Sequence, residues 1–222
     1  MDYSPIWISL KTALTATAIT FLGGVLAARW RVSYHGGWGG IIDTVLMLPL
    51  ALPPTVVGLI LLMVFGRSSP IGQALSNLGL MLVFTWPAAA LAATVVAFPI
   101  MYQTMRAGFQ QINHDLLDMA RLDGLSEWRI LWLVMLPLAW PALAAGVALS
   151  FVRALGEFGA TLMIAGNIPG KTQTMPVAIF FSIEAGEPGA AWTLAAITIA
   201  ISLGAIGTIN FLQRRYSVQS TG

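Results

Sequence analysis

The sequence predicts an all-α polytopic membrane protein with five transmembrane helices. Three observations lead there. Of its 222 residues, 57% are hydrophobic and only 9% charged, whereas soluble domains carry roughly 25% charged residues; the mean hydropathy is +0.81. The apolar residues gather in runs of about 20, enough to cross a bilayer as helix. The basic residues collect between alternate runs. A bilayer makes helix the default element, because a helix satisfies its own backbone hydrogen bonds. Lipid is therefore the expected surround, and the net charge of +2 gives no basis for a nucleic-acid partner. Absence of cysteine excludes disulfides, thiolate metal sites and cysteine nucleophiles. The start, "MDYSPIWISLK", has no basic leader and opens with Asp2, so the first apolar run is expected to stay in the membrane rather than be cleaved. The length suits one domain.

The first span runs from about Ile6 to Ala28, the second from Ile41 to Phe65, and the third from Leu82 to Met105. The fourth runs from about Leu136 to Ala165 and the fifth from Ala191 to Leu212. "PIGQALSNLGL", 70–80, is too short and polar to cross; it is a loop or a surface helix. An odd number of spans puts the termini on opposite sides. Arg29, Arg31, Arg106, Arg121, Arg129, Arg214 and Arg215 fall on one side, and Arg67 and Lys171 on the other. Because cytoplasmic loops carry the excess of basic residues, the N-terminus is expected outside. The C-terminus and the segment of about 106–135 are expected in the cytoplasm. Prolines 49, 53 and 54, 87 and 99, and 137 and 141 fall in or beside spans, where each removes a backbone donor and bends its helix. Bent helices can line a pathway or simply pack. Gly204 with Thr208, and Gly156 with Ala160, have the small-residue spacing that permits close helix contact.

The polar insert "DMARLDGLSEWRILWLVMLP", 118–137, stands out in so greasy a chain. "NHDLLDMARLDG" reads as a short helix with Asn113 as N-cap and Asp115 in its first turn. Leu116, Leu117 and Ala120 form an apolar side, with Asp118 and Arg121 on a polar one. Gly124 can adopt the left-handed conformation that ends a helix, and Ser126 can cap a second one with Glu127 in its first turn. Such a segment is either a solvated connector or a docking element for a soluble partner; its length, mixed charge and capping favour docking.

The spacing then brings out a resemblance. Permease subunits of bacterial ABC importers carry a cytoplasmic motif E-A-A-x3-G-x9-I-x-L-P. Here the pattern is Asp118-Met119-Ala120, Gly124, Val134, Leu136 and Pro137, with Asp for Glu, Met for the first Ala and Val for Ile. In that family the loop enters a cleft on the ATPase subunit and transmits its closure to the membrane helices. The resemblance implies that Asp118, Ala120, Arg121, Asp123, Gly124, Leu136 and Pro137 belong to this coupling loop. "RALGEFGATLMIAGNIPGKTQTMPVAIF", 153–180, is similar to the matching segment of molybdate permeases; sulfate and thiosulfate permeases share "RALGE" and "IAGN" but diverge around them. The implied fold is the methionine-importer-like five-helix core of type I importers. The implied assembly is a second copy of the chain, two cytoplasmic ABC ATPase subunits on the 113–131 loops, and a periplasmic or external oxyanion-binding protein. The implied function is ATP-driven import of molybdate across the bacterial inner membrane by alternating access, with no cofactor and no catalysis on this chain. Sulfate, thiosulfate and tungstate are the alternatives within the family, since all are tetrahedral dianions. An ATP-independent channel or membrane scaffold is the alternative outside it.

"AGNIPGKT", 165–172, mimics a phosphate-binding loop, but it follows a membrane helix on the outer side, and Pro169 removes an amide. Arg153 and Glu157, four residues apart, can pair on one helix face. As intramembrane charges they mark either a pathway or a structural pair at the break near Gly156 and Gly159; the structural role is favoured. Lys11 can snorkel outward, and Asp43 is expected to meet the N-terminus of span two. Nothing marks His35 or His114 as metal ligands. The outer stretch "KTQTMPVAIFFSIEAGEPGA" is either a surface helix that meets a binding protein or a packed connector. Neither H-E-x-x-H nor G-x-S-x-G occurs, which leaves enzymatic readings without a catalytic pair.

Overall fold

The computed structural model describes residues 2–219, with side chains to Gln213; the side chains of Arg214 and Arg215 lie outside the described residues. Among these residues every regular element is helical. Helix α1 (Ser4–Ser33) starts with Pro5 in its first turn, where the missing N–H costs nothing. Then come α2 (Gly39–Ala51), α3 (Pro54–Phe65), the short α4 (Pro70–Asn77) and α5 (Trp86–Gln110). α6 (His114–Leu122) and α7 (Glu127–Ile130) follow; α7 runs on through a π-helical turn at Leu131–Met135 into α8 (Leu136–Leu138). α9 (Trp140–Leu155), α10 (Gly159–Ala165), α11 (Met175–Glu184) and α12 (Pro188–Gln219) complete the chain.

The centre of the bundle is α5, which packs against α1, α9, α10 and α2. Small residues on it, among them Ala88, Ala89, Ala92, Ala93 and Ala97, are fully buried and let neighbouring backbones come close. On α1 the closest approach is Gly24, where a Cβ would stand 2.6 Å from Met101 Cγ and 3.2 Å from the Tyr102 backbone nitrogen. Tyr102, Met105, Phe109, Ile130, Leu131 and Met135 then fill one end of the bundle.

Among the described residues three helices are long and apolar enough to cross a membrane unbroken: Ser4–Ser33, Trp86–Gln110 and Pro188–Gln213. The other two apolar runs are bent pairs. The stretch expected as one helix over 41–65 turns by 108° between α2 and α3. Leu52, held extended at ψ 145° ahead of Pro53, ends α2, because the residue before proline is driven out of the helical region. The helical stretch leading into the run expected over 136–165 begins nine residues earlier, at Glu127. It bends by 84° between Glu127–Leu138 and Trp140–Leu155, and it breaks again after Leu155. Pro137 and Pro141 each withdraw a backbone donor there, and the π turn absorbs the mismatch. Pro87 lies in the first turn of α5 rather than inside it, whereas Pro99 and Pro49 are interior. α5 continues to Gln110, so the expected loop at 106–135 opens as helix.

Of the two small-residue pairs read from the sequence, only Ala160 marks a close helix contact among the described residues. Gly204 has nothing near it, and Gly156 lies in the break after α9 instead of on a helix face. The close approach is at Gly58 on α3, where a Cβ would sit 2.8 Å from Ala160 Cα and 2.7 Å from Met163 Cβ. The first of these neighbours is backbone and cannot move aside. Gly58→Val therefore separates α3 from α10 and costs about 1–3 kcal/mol by overpacking, to be read as a lowered thermal midpoint of the detergent-purified protein; an unchanged midpoint contradicts this packing.

Candidate functional site

Many of the charges left in this apolar chain gather at one end of the bundle. There α6 and α7 form a hairpin whose conformation is written locally. Asn113 Oδ1 accepts the amide of Asp115 at 3.0 Å. Gly124 adopts φ +80°. The Gly124 amide donates to Arg121 O and the Leu125 amide to Ala120 O, the paired closure of a Schellman motif. Ser126 Oγ then accepts the amide of Arg129 at 3.4 Å. Leu117 and Ala120 are buried in the core cluster with Ile130, and Leu125 packs against it. Leu136 is buried and Pro137 exposed.

The outer face of the hairpin mixes charge and grease. Arg121 reaches Asp118 at 2.6 Å and Glu127 at 2.7 Å; Asp123 is exposed at the helix end. Met119, Leu122 and Trp128 are exposed beside them, Leu122 at 87%. The motif-based reading takes Met119 only as a substituted motif position and passes over Leu122 and Trp128. The signal for them was present: a large apolar side chain on the solvent side of a charged helix suggests a contact surface. Ala120, by contrast, faces the bundle.

Two arginines from the last turn of α1 join this end together. Arg29 pairs with Glu127 of the hairpin. Arg31 makes a two-point contact with Asp43 of α2, at 2.9 and 3.0 Å. Asp43 also takes Arg106 at 3.0 Å and the Tyr102 hydroxyl at 2.5 Å, both from α5. The expected role of Asp43 at a helix N-terminus is therefore corrected: its carboxylate turns to side chains of two other helices. Arg29, Arg31, Arg106 and Arg121, assigned to one side from the sequence, do share one end.

Arg153 and Glu157 form their ion pair at 2.7 Å, with the Glu157 side chain almost fully buried. α9 ends at Leu155, so the two are not on one helix face. Glu157 Oε1 instead accepts the Ala160 amide at 2.8 Å and holds the first turn of α10. The loop at 165–172 is no phosphate cradle: the amides of Lys171, Thr172 and Gln173 all donate to Ile168 O. Lys11 lies 3.8 Å from the centroid of the Trp86 ring, and "MPVAIFFSIE" is the helix α11.

Comparison with known proteins places this architecture. Residues 20–218 match the family described as "Binding-protein-dependent transport system inner membrane component". The chain belongs to this family. It is thus a multi-pass transport subunit of the inner membrane. YvgM of Bacillus subtilis, provisionally named as a molybdenum transport system permease, is 45% identical over 90% of this permease and 88% of its own length. The molybdenum transport system permease protein ModB of Escherichia coli K12 is 38% identical over 91% and 89%. The sulfate transport system permease protein CysT of Escherichia coli K12 is 33% identical over 97% and 78%. Among solved structures, the permease fold matches a chain of the inward-facing MetNI methionine ABC transporter with a TM-score of 0.73 at 14% identity, covering 95% of this chain and 94% of that one.

Two outcomes follow from these contacts. Glu157→Ala leaves Arg153 and the Ala160 amide without their partner; breaking a buried pair costs about 3–5 kcal/mol, to be read in thermal unfolding of the purified permease. Hydrogen bonding from Arg121, supported by the charge of Arg29, holds the Glu127 carboxyl below its usual value of 4.5. A depressed acid stabilises the fold above its ordinary pKa and loses that contribution as pH falls through the lowered value. The stability difference between the wild type and Glu127→Gln is therefore constant at neutral pH and disappears on acidification below 4.5; a difference that grows with acid contradicts the pairing.

Proposed function

We propose that this chain is the permease subunit of an ATP-driven importer that moves molybdate into the cytoplasm by alternating access. The carrying observation is the 38–45% identity, over about nine-tenths of the chain, to permeases named for molybdenum transport. Sulfate permeases match at 33–37% identity, below these two but level with the ModB of Azotobacter vinelandii at 36%. The proposed assembly has two copies of the chain around a shared path, two ABC ATPases on the hairpins at 113–131, and an external binding protein that supplies the oxyanion and most of the selectivity. The N-terminus lies outside and the C-terminus inside, in keeping with the basic residues gathered at the hairpin end. The five apolar runs, two of them bent, are the five spans.

The hairpin suits a docking role. Its closure is rigid, its inner face is anchored in the core, and its outer face offers Asp118, Arg121, Met119 and Leu122 to a soluble partner. Closure of two ATPases would draw two hairpins together, and the attached helices would rock. Glu157, neutralised by Arg153 and tied to α10, would not repel a passing dianion. Sulfate remains the second reading, on the strength of its relatives.

The test is uptake of labelled molybdate and labelled sulfate by the assembled complex in vesicles. The proposal expects ATP-dependent uptake in which molybdate is preferred; preferred sulfate transfers the function within the family, and uptake without ATP overturns the importer. Gly124→Trp forces a side chain into a left-handed conformation that costs about 1–2 kcal/mol. It is expected to abolish co-purification of the ATPase, and retention of the ATPase argues against docking at the hairpin.

A further inference from the structure

We propose that the last turn of α1 is a relay. Arg29 receives the displacement of the hairpin through Glu127, and Arg31 passes it to α2 through Asp43. Arg29 and Asp43 are then positioning residues for transport. This rests on the proposal that an ATPase grips the hairpin.

α2 is a weakly buried element at this end. Its single buried residue is Gly39, and Leu46 and Met47 are half-buried against the core cluster. At its far end it joins α3 through the 108° bend at Leu52 and Pro53. Near its start it is fastened by polar contacts through Asp43, whose side chain is 16% exposed. An arm with a bend at one end and a charge clasp at the other is suited to swing.

The clasp is asymmetric. Arg31 holds both carboxylate oxygens and lies so close to Gly39 that a Cβ there would stand 2.4 Å from its Nη2. Arg106 contributes one nitrogen, and its Nε is buried without a partner. Two-point guanidinium–carboxylate pairing is the stronger and more directional contact. Asp43 can leave Arg106 and Tyr102 on α5 without becoming an unpaired charge, because Arg31 stays with it. α2 packs along α5, whereas its fastening to α1 runs through Arg31, so a displacement of α1 reaches α2 through this clasp. Arg29 and Arg31 are only about 3 Å apart along the axis of one helix, so a pull on the first is delivered to the second. Arg29, with its side chain 14% exposed, also donates to Ser33 Oγ, which steadies it on α1. The hairpin, α1 and α2 thus form one contiguous polar path containing a two-sided contact, the kind of element that can carry coupling.

The experiment uses the complete transporter in proteoliposomes, with uptake and ATP hydrolysis measured together. Arg29→Gln and Asp43→Asn each leave the docking face of the hairpin intact. Each is expected to lower molybdate taken up per ATP hydrolysed by about fivefold or more, while hydrolysis and ATPase co-purification stay within about twofold. Arg29→Lys restores most of the coupling, and the double variant is no worse than the worse single one, as for residues on one path. Unchanged coupling in Arg29→Gln overturns the relay, as does a parallel fall of hydrolysis and uptake, the mark of a structural role. If Asp43→Asn does not assemble, the exchanged pair Arg29→Glu with Glu127→Arg decides: recovery over Arg29→Glu alone supports the relay, and no recovery overturns it. Failure of the unmodified chain to retain its ATPase would instead sink the function proposed above.

Discussion

Glu127 sits on an exposed hairpin, yet its carboxylate is held by Arg121 of that hairpin and by Arg29 of the long helix α1. In a chain with so few charges, each one that finds a partner from another element fixes how those elements meet. Here the contact ties the most polar part of the sequence to a helix that runs the length of the bundle. Without it the hairpin would still be closed by Gly124 and anchored by Leu117 and Ala120, but its outer face would have no polar link to α1. The neighbouring Arg31–Asp43 contact extends the same logic to α2, so three elements meet through two arginines of one turn.

Charge pairing at this end works beside apolar packing, since the cluster of Tyr102, Phe109, Leu117, Ile130 and Met135 lies there too. Around α5 the alanine-rich face and Gly24 bring helices together through close contact of small residues. Such packing is tight and tolerates little sliding. α2 instead shows the bundle only a narrow side, and α12 is largely outward-facing. The structure combines a close-packed centre of α1, α5, α9 and α10 with peripheral elements held by bends and ion pairs. This is a suitable division for the alternating-access importer proposed above.

How far the sequence could be read depended on the distance over which each feature is decided. The hairpin was legible because its determinants are local: Asn113 and Ser126 cap within two or three residues, and Gly124 supplies the one left-handed conformation the closure needs. The apolar runs were legible from length alone. Their bends were not, since proline in a membrane helix can either be carried inside it, as at Pro99, or end its predecessor, as at Leu52 and Pro53. Small-residue spacing did not say which helices meet: Ala160 meets Gly58 about a hundred residues away, while Gly204 meets nothing within the described residues of this chain. Asp43 was placed by its own helix, while its partners came from α1 and α5. The Arg29–Glu127 contact spans 98 positions and left no local trace. Met119 and Leu122 could have been found from the mismatch between their size and the polarity of their surroundings.

The central claim, that an energy-converting subunit grips the hairpin, is tested most directly by a photo-crosslinking side chain at position 122, the most exposed apolar residue on its outer face. In the assembled transporter, the account predicts an adduct between this position and the ATPase chain. An adduct with the external binding protein, or labelling of position 122 by an impermeant reagent applied from outside the cell membrane, would contradict it.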